Sequence, residues 1–257
     1  CPALPPTSAC SSANGRSPRP PGPRRLCGGG GAVPYELPAT QIADLLREYG
    51  LQLVLHNLPA GDWAAGERGI ACHPDRVEEF RTGVRQAIDY ATALGCPQLN
   101  CLAGIMPPAG VAGELDIRAT FVANLRYAAA ELKRAGLKLL VEPINTFDIP
   151  GFTLFAHGSA LGILDEVAAD NAFLQYDVYH AQRMEGEFRQ HACPPPAAHR
   201  AHPDRRQPGR HEPGSGRDQF PWLFRHLDAI GYTGWVGCEY RPATTTEAGL
   251  DWRDRLR

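Results

Sequence analysis

Five short runs dominated by apolar residues, Leu51–Asn57, Gln98–Ala103, Leu137–Asn145, Phe173–His180 and Gly234–Tyr240, alternate with five amphipathic stretches at 38–49, 76–94, 114–135, 157–169 and 221–230. In the first amphipathic stretch Ile42, Leu45, Leu46 and Tyr49 fall three to four residues apart, the spacing that lines one face of a helix. Strand followed by helix followed by strand constrains the fold strongly. Neighbouring strands joined through a helix run parallel, and a parallel sheet is covered by helices on its faces. The runs stay apolar until their C-terminal ends, where His56, Asn100, Glu142, Asn145, Asp177, His180 and Glu239 stand. In parallel α/β folds that end of the sheet is where sites are built.

The acids are the sharpest of these signals. A carboxylate is rarely buried unless it is paired or bound to a cation, and Glu142, Asp177 and Glu239 each follow a run that reads as a buried strand. For any one of them a structural ion pair explains the residue as well as a catalytic role does. Three converging on one point repel each other and call for a cation. An all-oxygen set favours Mg²⁺ or Mn²⁺ over Zn²⁺.

The 257 residues carry a net charge of −2, contain no long apolar run and do not open on a signal-like segment. These features argue against a membrane span, an export signal and a nucleic-acid surface, and make a soluble, cytoplasmic protein the default expectation. The 24 prolines are unevenly spread: residues 1–33 hold seven prolines and four arginines with no acid, and residues 189–217 hold Pro194-Pro195-Pro196 and six arginines without either structural period. Disordered linker is the expectation for both windows. Four of the eight cysteines lie in them, no Cys-x-x-Cys pair occurs, and a disulfide framework is not supported.

Several motifs resemble the bacterial hydroxypyruvate isomerases, members of the xylose-isomerase-like barrels. They are His56-Asn57-Leu58-Pro59-Ala60-Gly61-Asp62-Trp63 with Gly66-Glu67-Arg68-Gly69, Val141-Glu142-Pro143-Ile144-Asn145, Gln175-Tyr176-Asp177-Val178-Tyr179-His180 with Gln182-Arg183-Met184-Glu185-Gly186, and Gly234-Trp235-Val236-Gly237-Cys238-Glu239-Tyr240. The likeness runs from about Pro34 to Glu187 and resumes near Pro208. It implies a (β/α)8 TIM barrel that interconverts hydroxypyruvate and 2-hydroxy-3-oxopropanoate (tartronate semialdehyde) through an enediol. By the resemblance Glu142 and Glu239 are the acid–base pair, and Glu142, Asp177 and Glu239 hold a divalent cation. His56, His180 and Arg210 are then expected to contact the substrate. A small-molecule substrate, no nucleic acid, no membrane and a homo-oligomer complete the expected partners. The loop Pro59–Gly69 has a composition suited to a mobile cover over the enediol, an ordinary surface loop being the plainer alternative.

Rival readings are a related isomerase or epimerase acting on a keto-sugar or 2-oxo-tetronate, an endonuclease on the same barrel, and a non-catalytic binding module. The endonuclease would need a His-rich multi-zinc site and a basic groove, which the intact strands do not offer.

Where the likeness fails, the codons suggest a cause. Arg200–Gln207 can be encoded so that a shifted frame reads Ala-His-Ile-Gln-Ile-Ala-Asp-Asn, resembling the family's seventh strand, before Pro208 resumes the main frame. Pro5–Ser17 can likewise hide the family's N-terminal strand, and Arg217-Asp218-Gln219 can hide Glu-Ile-Asn. The chain then reads as an aberrant, disordered segment at 1–33, followed by one barrel domain over 34–257 interrupted at about 189–207, with strands one, two and seven disrupted and the barrel incomplete. Missing strands leave unpaired edges and an opened core. The chain as written is expected to be poorly soluble and weakly active or inactive, and resequencing the gene over residues 1–34 and 188–220 is expected to expose the shifted frames. Confirmation of the given frame, together with a compact and fully active product, would overturn this account.

Overall fold

The computed structural model describes residues 34–108, 113–185, 211–214, 220–230, 232, 234–250 and 252, together with the backbone of 9–10 and 24–26. The strands are β1 (Ala9–Cys10), β2 (Arg24–Leu26), β3 (Leu51–Leu53), β4 (His56–Asn57), β5 (Gln98–Cys101), β6 (Lys138–Val141) and β7 (Ala172–Leu174). One ladder runs β1-β2-β3 and the other β4-β5-β6-β7. Apart from the antiparallel β1–β2 pair, the ladders between these described strands are parallel. β3 and β4 are two pieces of the run expected at Leu51–Asn57, interrupted at Val54 and Leu55.

The helices are α1 (Ala39–Glu48), α2 (Val77–Leu94), α3 (Glu114–Arg134), α4 (His157–Val167), α5 (Val178–Met184), α6 (Phe220–Ala229) and α7 (Thr246–Gly249). Apolar spacing fixes which faces are covered. α2 buries Phe80, Val84, Ala87 and Ala91, and α3 buries Ile117, Phe121, Leu125, Ala128 and Leu132. These stripes close over Leu99, Leu139 and Val141 of the sheet, all fully buried, to form the main core. α2 stops at Gly95, whose φ of 64° suits a residue without a side chain.

Three strand expectations are corrected. β6 ends at Val141 rather than Asn145, because Pro143 has no N–H to continue a ladder. The run expected at Phe173–His180 leaves the sheet after Leu174, and Asp177 caps the start of α5 instead. Residues 234–240 carry no ladder, since no described segment pairs with them, although Cys238 there is buried. Of residues 1–33 only β1 and β2 are described; the rest of that window, and 186–210 and 215–219, lie outside the described residues, so the expectations placed there are not addressed by the fold.

The loop after β4 is tied down at both ends. Leu58 N–H donates to the Asn100 carbonyl (2.8 Å), Gly69 N–H to Ala60 (2.9 Å) and Cys72 N–H to Ala103 (2.9 Å), and Arg76 clamps Glu67 in an ion pair. Asp62 and the tip at Ala64–Gly66 are exposed, while half-buried Trp63 lies under the Arg68 guanidinium, 3.9 Å from its ring centre. The loop is thus an anchored wall with a small free tip. Gly69 (φ 114°) and Gly104 (φ 112°) make this possible, because their backbones meet directly. A Cβ at Gly69 would lie 2.8 Å from the Leu102 carbonyl carbon and 2.9 Å from the Gly104 nitrogen. Gly69→Ala is expected to cost roughly 2–4 kcal/mol, combining positive-φ strain with overpacking, measurable by urea denaturation against the parent chain.

Candidate active site

Parallel register brings the polar strand ends side by side. Asn57 lies opposite Asn100, and Asn100 lies opposite Leu140, two residues before Glu142. Side chains two apart share a face of the sheet, so Asn57, Asn100 and Glu142 converge. The Asn100 amide nitrogen donates to Asn57 Oδ1 (3.1 Å) and to Glu142 Oε2 (2.8 Å), and all three side chains are buried. Glu142 is therefore held in one orientation at the end of β6.

Asp177 and His180 come from the strand-to-helix turn after β7. Asp177 Oδ1 accepts the backbone N–H groups of Tyr179 (2.7 Å) and His180 (3.1 Å), the interaction that starts α5. Its Oδ2 lies 3.8 Å from His180 Nε2. The other end of α5 is fastened by Glu185, which accepts the backbone N–H of His157 (2.7 Å) and pairs with its Nδ1 (2.9 Å). Within this frame Glu142, Asp177 and His180 each offer a ligand atom within 4.8 Å of the others. Two carboxylates this close repel one another, a repulsion that a bound divalent cation would relieve.

The sequence reading chose Glu142, Asp177 and Glu239 as the acidic set. The structure brings Glu142 and Asp177 together with His180, while Glu239, half-buried in the stretch before Tyr240, is not a member of that close group. Arg210 lies outside the described residues.

His56 is buried on β4, next to Asn57. Its Nδ1 lies 3.1 Å from the Asn57 carbonyl, which can only accept, so Nδ1 carries the ring hydrogen. Tyr35 lies across the pair, donating to the same carbonyl at 2.7 Å with its oxygen 3.2 Å from Nδ1. Nε2 thus presents a lone pair, buried and without a hydrogen-bond partner among the described residues. Burial pushes the His56 pKa down to about 4, the bond to Asn57 opposing it.

Sequence reasoning did not single out Tyr35, Asp148 or Tyr179. Asp148 accepts from Asn145 Nδ2 (3.0 Å) and Tyr179 O–H (2.8 Å), with Arg183 3.8 Å away. Partial burial works to raise its pKa, but these hydrogen bonds and the Arg183 charge outweigh it and hold the carboxyl below its usual range. Tyr35 left no signal beyond composition and Tyr179 only its place in a family motif, since their roles depend on contacts between elements distant in sequence.

The family model described as xylose isomerase-like TIM barrel matches residues 20–256. Hydroxypyruvate isomerase of Escherichia coli (strain K12) is 50% identical over 226 residues, covering 87% of this chain and 86% of the relative. A 2-oxo-tetronate isomerase of Cupriavidus necator is 40% identical over 219 residues, covering 85% and 84%. Among solved structures, a protein of Brucella melitensis described as an AP endonuclease, family 2, superposes with a TM-score of 0.78 at 37% identity, covering 91% of this chain and 87% of that one.

The buried neutral His56 makes stability pH-dependent. Below pH 6.5 the unfolded chain takes up a proton at His56 that the folded chain refuses until about pH 4, so native stability is full above 6.5 and falls as the pH drops through that window. The loss is expected to reach at most roughly 3 kcal/mol. Chemical denaturation at several pH values is expected to show a shallower slope between pH 6.5 and 4 for His56→Gln than for the parent.

Proposed function

Because the chain belongs to the xylose isomerase-like TIM-barrel family, we propose that it is a hydroxypyruvate isomerase, interconverting hydroxypyruvate and 2-hydroxy-3-oxopropanoate. The observation that carries this reading is the pairing of Glu142 with a second carboxylate and a histidine at the C-terminal ends of the strands, in a chain half identical to an isomerase of that name. The close group is acidic with a single histidine, which suits enediol chemistry better than the multi-zinc hydrolysis of a nuclease.

In the forward direction one carboxylate removes a proton from C3 of hydroxypyruvate, giving an enediol. The same or the facing carboxylate returns a proton to C2, while the hydroxyl proton passes between the two oxygens. Glu142 and Glu239 are the acid–base pair in this scheme. Glu142, locked in place by Asn100, meets the geometric demand that a base be held within reach of one C–H bond. The His56 Nε2 lone pair accepts from a substrate hydroxyl, a role suited to a ring that stays neutral at pH 7. Arg210 supplies positive charge to the substrate carboxylate. Glu142, Asp177 and Glu239 would hold Mg²⁺ or Mn²⁺, which when bound polarises the substrate oxygens and steadies the negative charge of the enediolate.

The reading extends to chain organisation, one barrel domain over 34–257 interrupted at about 189–207, acting in the cytoplasm. It is tested by assaying the chain with Mg²⁺ or Mn²⁺ on hydroxypyruvate and 2-oxo-tetronate side by side, together with a version whose shifted frame over Arg200–Gln207 is restored. Hydroxypyruvate is expected to be preferred, the restored version faster, and Glu142→Gln to cost roughly 10²- to 10⁴-fold in kcat. Preference for 2-oxo-tetronate would move the assignment to the neighbouring isomerase, and an unaltered rate in Glu142→Gln would remove Glu142 from the chemistry.

A further inference from the structure

Asn145 is wholly buried three residues beyond Glu142, and its side-chain amide satisfies both of its ends. Oδ1 accepts the backbone N–H groups of Phe147 (3.1 Å) and Asp148 (2.9 Å), while Nδ2 donates to Asp148 Oδ2 (3.0 Å) and meets His180 Nδ1 at 2.7 Å. Turning the amide over would set its NH₂ group against two N–H groups and its oxygen against a carboxylate. The chain therefore dictates the orientation, and Nδ2 is a donor to His180. The Asn145 backbone N–H donates to the same Nδ1 at 3.3 Å. Facing two donors, Nδ1 holds a lone pair, and in the neutral ring the hydrogen sits on Nε2, the atom 3.8 Å from Asp177 Oδ2.

We propose that Asn145 is a positioning residue that fixes His180 as its Nε2–H tautomer, so that His180 points a hydrogen-bond donor at the substrate oxygens instead of a lone pair at a cation. An N–H at this position suits a substrate that carries a carbonyl or enediolate oxygen. His180 is thereby removed from the cation's ligands despite its place in the close group, which leaves that role to carboxylates. The substrate side of this assignment rests on the isomerase reading; the tautomer does not.

The test is long-range ¹⁵N–¹H correlation spectroscopy of the full chain labelled at histidine, recorded at pH 8 without metal and with Mg²⁺. His180 is assigned by the signals lost in His180→Gln. The expected spectrum has a protonated Nε2 and a bare Nδ1 in both samples. In Asn145→Asp, which places an acceptor against Nδ1, the hydrogen is expected to move toward Nδ1, with kcat falling tenfold to a hundredfold and KM changing less than threefold. An Nδ1–H ring in the parent chain, or an Nε2 that loses its hydrogen when Mg²⁺ is added, overturns the proposal. So does a tautomer unmoved by Asn145→Asp, the result of a merely structural role; if that variant does not fold, Asn145→Ser provides the second comparison and the parent spectra still decide the tautomer. An Nε2–H ring in a chain with no isomerase activity would defeat the proposed reaction while leaving the placement of the hydrogen intact.

Discussion

The site depends first on one buried amide. Asn100 sits in the middle of the register that aligns β4, β5 and β6, and its nitrogen joins Asn57 to Glu142. A buried carboxylate deprived of its donor is left with a desolvation cost of roughly 1–3 kcal/mol or more, so this amide stabilises Glu142 as well as aiming it. A parallel ladder makes such a bridge available, because it brings the C-terminal ends of neighbouring strands level and points alternate side chains the same way. The rest of the site is then added from the turns that follow those ends. Asp177 begins α5, α5 carries His180, and Glu185 fastens the far end of the helix to the start of α4.

Electrostatics in the site are arranged by burial and by donors rather than by exposed ion pairs. The salt bridges on the outer helices, such as Arg81 with Glu78 and Lys133 with Asp170, are largely exposed and contribute little. Around the site, by contrast, buried and half-buried groups are oriented by named donors and acceptors. His56 is kept neutral by its surroundings, and Asp148 is kept charged by Asn145, Tyr179 and Arg183. Asp148 serves the far side of Asn145 in the same way that Asn100 serves Glu142: an amide is held between two groups and passes orientation from one to the other.

Much of this was legible in the chain. The five helices with clear spacing fall within a residue or two of their expected ends, and His56, Asn100, Glu142 and Asn145 stand at the polar ends of apolar runs as the pattern required. Periodicity misled at Phe173–His180, where Tyr176, Val178 and His180 keep an alternating look after the strand has ended. The capping power of Asp177 decided the matter, a local hydrogen-bonding preference that hydrophobic spacing does not register. Residues 234–240 failed for a different reason: a run can have strand composition, but a strand exists only with a neighbour, and no described segment is one. The roles of the two histidine nitrogens could not be read from sequence at all, because a ring's hydrogen is placed by groups that only folding brings to it.

The contact between Gly69 and Gly104 has a consequence for how such a barrel can be modified. Because backbone meets backbone there, with the Cys72 N–H also bound to the Ala103 carbonyl, the segments after β4 and β5 form one mechanical piece rather than two independent insertions. Loops on this face are often regarded as exchangeable parts that can be grafted singly from one barrel to another. Here a graft that brings only the first segment would arrive with a surface cut to fit a partner left behind. The unit that could be transplanted is the pair.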